Sequence, residues 1–163
     1  MAAFTKSMLS LLFLMAASNA SPLTPRAETV FSLTDLVFNT TNTYSSPPHI
    51  SIYSSSISFT LTNTAISRSS KCHVVSNNNP ADIFFDGNQA FVCDGGVSSF
   101  KFKAVHINDG GFTVQDDTGV SGTGTPEFTC VYTDVINPDW PNTSPYKVSS
   151  SSCTQAELLI AAA

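Results

Sequence analysis

The sequence predicts an all-β chain: an antiparallel β-barrel, or a barrel-like sandwich, stabilised by two disulfides. Three observations carry that prediction. Apolar and polar residues alternate in short runs, the period-two signature of strands with one buried face. Turn-forming Gly, Asn, Asp and Pro separate these runs at intervals of about eight to twelve residues, as in sandwiches and barrels. Four cysteines, Cys72, Cys93, Cys130 and Cys153, supply an even number of thiols.

The strands are expected in this order. After Thr29, Phe31, Leu33 and Val37 alternate with Ser32, Thr34, Leu36 and Phe38, and Asp35 interrupts the first face with a polar residue. Residues 39–49, containing Pro47 and Pro48, read as a loop. Ile50, Ile52, Ile57, Phe59 and Leu61 give the clearest strand. A third, short strand is expected around Cys72 to Val75. Residues 83–85 and 90–93 flank Asp86, Gly87 and Asn88, a hairpin turn by composition. Phe100, Phe102, Ala104 and His106 share a face of the next strand. Residues 112–115 follow a turn, and residues 128–132 follow a Gly/Thr-rich link. Residues 137–146 carry Pro138, Pro141 and Pro145 and must be irregular. Residues 157–162 fit a helix by alanine propensity and a closing strand by context.

The first residues have the three parts of a secretory signal: Lys6, an apolar run over residues 8–17, and the small-residue site Ser18, Asn19, Ala20. That run is about half the roughly 20 apolar residues that a spanning helix needs. The expected organisation is a signal peptide at 1–20, a flexible lead-in or short pro-segment at 21–28, trimmed at Ser21 or Ala27, and one domain at 29–163. The apolar tail after Ile160 is too short to direct a lipid anchor. A secreted protein without a membrane anchor is the expectation.

Composition narrows the function classes. The net charge is −5, and the seven basic residues are scattered. Lys101 and Lys103 form the one close pair, which marks the solvent face of a strand. Nucleic-acid binding, which needs clustered cations, is not expected. The cysteines read as disulfides in a secreted chain, with three pairings open. Sequential pairing closes two loops of about twenty residues, each contributing about 3 kcal/mol in the chain-entropy picture. No pair of cysteines has the close spacing of zinc sites, so neither a metal nor another cofactor is expected. Asn39 and Asn142 head N-glycosylation triplets beside turn-forming residues, where surface placement is expected.

No catalytic constellation stands out. Asp117-Thr118-Gly119 matches the aspartic-protease tripeptide, but that chemistry needs two carboxylates sharing a proton, and the stretch reads as a hairpin turn. His49, His73 and His106 read as surface or strand residues, and no nucleophile-elbow motif is present. What remains is surface. Trp140 and Tyr146 lie on the proline-stiffened segment, where Trp140 serves either as a contact anchor or as a plug of the barrel end. Phe84 and Phe85 are adjacent, so a strand there turns one of them away from the core.

The order of features resembles the family of the major Alternaria allergen, small secreted β-barrel proteins of filamentous fungi. The similar elements are Phe31-Ser-Leu-Thr-Asp-Leu, Ser58-Phe59-Thr60-Leu61, Cys72, Phe91-Val92-Cys93, Ser99-Phe100-Lys101-Phe102 and a second cysteine pair. The resemblance runs from about Val30 to the end of the chain and is clearest between Phe31 and Phe102. It implies sequential disulfides. It also implies an effector-like or allergen-like role at the host interface, binding extracellular host (defence) proteins without enzymatic activity. A small apolar ligand is the other expected partner, and no residue for it is carried over from the family. Some members dimerise through an extra cysteine ahead of the first strand. None lies between residue 21 and Cys72 here, so that covalent dimer is not expected. The alternatives from other classes are a small secreted hydrolase and a cell-wall-associated structural protein.

Overall fold

The structure, a computed structural model, describes residues 29–46, 50–77, 79–104 and 110–162. Their strands form two antiparallel sheets of unequal length. The larger sheet holds β1 (Thr29–Ser46), β2 (Ile50–Asn63), β3 (Arg68–Asn77), β8 (Thr129–Ile136) and β9 (Lys147–Ala161), in the order β3-β2-β1-β9-β8. The smaller holds β4 (Phe91–Val92), β5 (Ser98–Lys103), β6 (Gly111–Asp116) and β7 (Ser121–Gly124), in that order. One helical turn, α1 (Ala81–Phe84), joins them. The signal peptide, the lead-in, Pro47, Pro48, His49 and His106 lie outside the described residues.

Of the two expected architectures the sandwich is realised. The sheets do not close into a barrel; among the described residues one backbone bridge, between Gly122 and Ala162, joins β7 to the residue after β9. Glycine is required there. A Cβ on Gly122 would stand 2.5 Å from the Ala161 carbonyl oxygen, and one on Gly124 2.7 Å from Ile160 Cγ1. The small sheet can therefore ride close over the end of β9 only without side chains at those positions.

A bulge in β1 decides what the core contains. Thr34 pairs with Thr60 and Val37 with Ser58, so β1 spends one more residue than β2 across that step. Asp35 adopts a left-handed φ of 55° and stays exposed. The extra residue shifts the alternation by one. Leu36 and Phe38 therefore join Phe31 and Leu33 in the core, and Val37 faces outward. Strict alternation places Leu36 and Phe38 on the other face, and the bulge overturns that expectation.

The core between the sheets is built from phenylalanine. Phe38 and Phe59 project from the larger sheet onto Phe100, Phe102 and Phe112 of the smaller one, at centroid distances of 4.8–5.4 Å. Most of these contacts are edge-to-face, the geometry ring quadrupoles favour. Phe85 and Phe128 close the ends of the cluster around Phe102.

Both disulfides pair sequentially. Cys72–Cys93 ties β3 to the residue after β4 and so links the two sheets covalently. Cys130–Cys153 joins directly opposed residues of β8 and β9 within one sheet. A polar tie stands at the far end of the sandwich. The buried Asp116 carboxylate accepts from Asn63 Nδ2 of β2 at 2.7 Å, from the Thr118 hydroxyl at 2.6 Å, and from the N–H groups of Thr118 and Val120. Burial by itself disfavours the charged form. These donors outweigh it and hold Asp116 below the usual carboxylate range. A depressed native pKa contributes stability above the unfolded value, here 3.8, and that contribution is lost as pH falls through the native value. Acid unfolding titrations are therefore expected to show a steeper loss of stability below that pH in the native chain than in Asp116→Asn.

Several expected elements differ. Residues 39–46 continue β1 and do not form a loop, because Thr40 to Tyr44 pair on both sides, with β2 and β9. Residues 83–85 belong to α1 and the turn after it, so the hairpin expected around Asp86 is absent: Ala81 O accepts from Phe85 N–H and closes a helical turn. The Gly/Thr-rich link contains β7, whose glycines hide it from any apolar pattern. The C-terminal segment is strand, and it starts at Lys147, well before the ambiguous residues.

Candidate ligand groove

The larger sheet is longer than the smaller one, and the overhang defines the site. Beyond Phe38 the inner face of the larger sheet loses its facing phenylalanines and turns polar. The register places Ser76, Ser55, Thr40, Ser151 and Tyr132 in one row across all five strands. The next row holds Tyr53, Asn42, Ser149 and Asp134. One row in the other direction lie Val74, Ile57, Phe38 and the Cys130–Cys153 pair. The boundary between apolar core and hydroxyl-lined floor is thus one residue pair wide.

Over this boundary opens a groove of about 590 Å³. Phe38, Ala81 and Ala104 form its apolar back, and Thr40, Asn42, Ser149 and Ser151 its floor. Tyr132, on edge strand β8, forms one rim with 69 % of its surface exposed. A volume of this size falls within the range of about 300–1,000 Å³ for small-molecule sites. Within the floor, the Thr40 and Ser151 hydroxyls share a hydrogen bond at 2.8 Å. Asp134 at the mouth is held below the usual carboxylate range by hydrogen bonds from Lys147 and then Ser149. Its ion pair with Lys147, at 2.8 Å, leaves the mouth without net charge.

The same row contains an unusual feature. The hydroxyls of Ser55 and Ser76 are almost fully buried and have no hydrogen-bond partner among the described residues. Burying a hydroxyl without a hydrogen bond costs about 1–3 kcal/mol of desolvation. Replacing both by alanine is therefore expected to leave stability unchanged or raise it by about 1 kcal/mol, contrary to the usual loss on truncating a buried residue. Denaturant midpoints would register it.

The residues singled out in the sequence are distributed elsewhere. Trp140 does not plug the sandwich. It packs edge-on against Tyr146 at 5.5 Å on the segment between β8 and β9, with 37 % of its surface exposed. Asn137 braces that segment by donating to the Thr143 and Pro145 carbonyl oxygens and the Thr143 hydroxyl. Phe85 is a core residue, and Phe84 is half-buried against Phe85 and Phe91. Of that pair only Phe84 reaches the surface, beside Ile83. Asn142 is exposed in the loop, while Asn39 sits half-buried in mid-strand on the outer face, opposite Ser56 and Ser152. Asp117, Thr118 and Gly119 form the turn between β6 and β7, with Asp117 paired to Arg68. Lys101 and Lys103 are exposed on the outer face of β5, and His73 is exposed on β3. Among the described residues no group of three or more His, Cys, Asp or Glu is placed to hold a metal ion, and no helix is long and apolar enough to cross a membrane.

The groove residues themselves escaped the sequence reading. Their trace was there: hydroxyl and amide residues crowd three segments, 39–43, 54–58 and 149–152, which prove to be neighbouring strands. No family model, no curated protein and no solved structure matches the chain.

Proposed function

We propose that this chain is a secreted, non-enzymatic binding protein of the effector-like type, acting at a host interface, and that the overhang groove is its ligand site. The observation that carries the reading is the groove's split lining: an apolar back of Phe38, Ala81 and Ala104 against a hydroxyl and amide floor. That lining suits a small molecule with an apolar body and a hydrogen-bonding edge, because each half of such a ligand meets its own chemistry. Three exposed carboxylates are engaged in local contacts. Asp117 pairs with Arg68, Asp134 with Lys147, and Asp86 accepts from Asn88. The two disulfides fit an oxidising, extracellular setting. The resemblance to the allergen family supports the host-interface part, and the exposed Asn142 triplet fits a glycoprotein.

The test uses prodan, a neutral fluorescent dye with an apolar ring system and one acceptor carbonyl. Binding with a blue-shifted emission is expected, abolished by Asn42→Trp, which fills the groove floor, and retained by Thr41→Trp, which places the same bulk on the outer face. Equal binding by both variants would refute the groove as the site.

A further inference from the structure

Among the described residues one edge of the larger sheet carries exposed apolar side chains on both faces. That edge is β8, the other being β3, and on β8 Val131, Tyr132, Val135 and Ile136 all lie between 57 and 69 % exposed. Soluble proteins protect such edges with lysine, proline, a bulge or a covering loop. Among the described residues β8 has none of these. Its register with β9 is unbroken over Thr129–Ile136, and its one charge, Asp134, is already paired with Lys147 of the neighbouring strand.

The register also tells which backbone groups face outward. Cys130 and Cys153 are directly opposed with Cα atoms 4.0 Å apart, the short spacing of a non-hydrogen-bonded pair. By the period of two, Cys130, Tyr132, Asp134 and Ile136 turn their N–H and C=O groups away from β9, toward the open edge. A two-fold axis perpendicular to the sheet at Thr133 would oppose Tyr132 to Asp134 and Cys130 to Ile136 of the second copy. Every outward group then finds a partner. On the outer face Val131 meets Val135 and Thr133 meets Thr133. Centring the axis on Asp134 would instead set two carboxylates face to face, which cross-strand pairs disfavour. Centring it on Tyr132 would leave Ile136 unpaired.

We propose that two copies of this chain pair antiparallel through β8 about Thr133, giving a non-covalent dimer with one continuous ten-stranded sheet. Because Tyr132 and Asp134 line both the groove and this edge, pairing sets the two grooves side by side in one trough. The pairing itself does not depend on what the grooves bind.

The experiment is sedimentation of the secreted chain and of two variants at the symmetry position. Across the axis the two Thr133 side chains lie about 5 Å apart, so like charges there oppose pairing while the exposed edge tolerates them in a monomer. The native chain is expected to sediment at twice the chain mass, and Thr133→Lys and Thr133→Glu each at the monomer mass with unchanged circular dichroism. An equimolar mixture of the two variants is expected to return to the dimer mass. A monomeric native chain at the highest soluble concentration overturns the proposal. So do dimers that survive in both variants alone, or a mixture that stays monomeric.

Discussion

Phe102→Ala is expected to lower the unfolding free energy by about 3–5 kcal/mol, a large share of the stability of a domain this size. Phe102 is 2 % exposed and its ring contacts those of Phe38, Phe85, Phe112 and Phe128. It is the point where β1, β6, the α1 turn and the start of β8 meet. Truncation removes the transfer free energy of the ring and leaves a cavity walled by stiff aromatic neighbours. Those neighbours cannot collapse without giving up their own edge-to-face contacts. The half-buried Phe84 provides the comparison. The Phe84 ring is half-buried against those of Phe85 and Phe91, and Phe84→Ala is expected to cost clearly less. Urea unfolding of both variants checks the order. Equal losses would mean that the two rings are equally well packed, against the burial seen here.

Removing the Cys72–Cys93 bridge is the second large effect. The two bridges span 21 and 23 residues, so restriction of the unfolded chain alone predicts nearly the same loss for either, about 3 kcal/mol. Their native surroundings differ. Cys72 and Cys93 are both buried in the core and tie one sheet to the other, whereas Cys130 is only half-buried and bonds to a strand already held by a full ladder. Cys72→Ala with Cys93→Ala should therefore destabilise more than Cys130→Ala with Cys153→Ala. Equal midpoints would assign the whole contribution to the unfolded chain.

The strands that read clearly from the sequence are those with one apolar and one polar face, such as Ile57 to Leu61 and Phe100 to Phe102. There the inward positions carry Phe, Ile or Leu, and the outward ones Ser, Thr or Lys. The pattern fails for physical reasons where the structure departs from it. The bulge at Asp35 shifts the phase of β1, and a phase change is invisible to a rule that assumes strict alternation. The overhang of the larger sheet puts hydroxyl residues on both faces. Thr40, Asn42 and Ser149 through Ser152 thus show no alternation at all, although they are paired strand residues. The groove lies in that stretch, and its legibility suffered for the same reason. The disulfide pairing follows from a pattern of elements and not from spacing, since both alternatives also close acceptable loops. Trp140 shows the limit of composition: a lone tryptophan is usually buried, yet here a proline-rich loop with its own hydrogen-bond brace holds it at the surface.

The hydroxyl row joins energetics to function. The hydroxyls of Ser55 and Ser76 are buried without a partner among the described residues, and their row continues through Thr40 and Ser151 onto the groove floor. A fold selected for stability alone would carry Ala or Val at such buried, unpartnered positions. The central claim is that the groove-lining part of this row, Thr40 and Ser151, and the apolar wall behind it bind a ligand, and backbone amide NMR during a prodan titration tests it most directly. The predicted result is a set of saturating shifts centred on Phe38, Thr40, Asn42, Ser149 and Ser151, with the outer-face residues Thr41 and Ser56 unmoved. Shifts centred instead on Trp140 and Tyr146, or on Ile83 and Phe84, would contradict it.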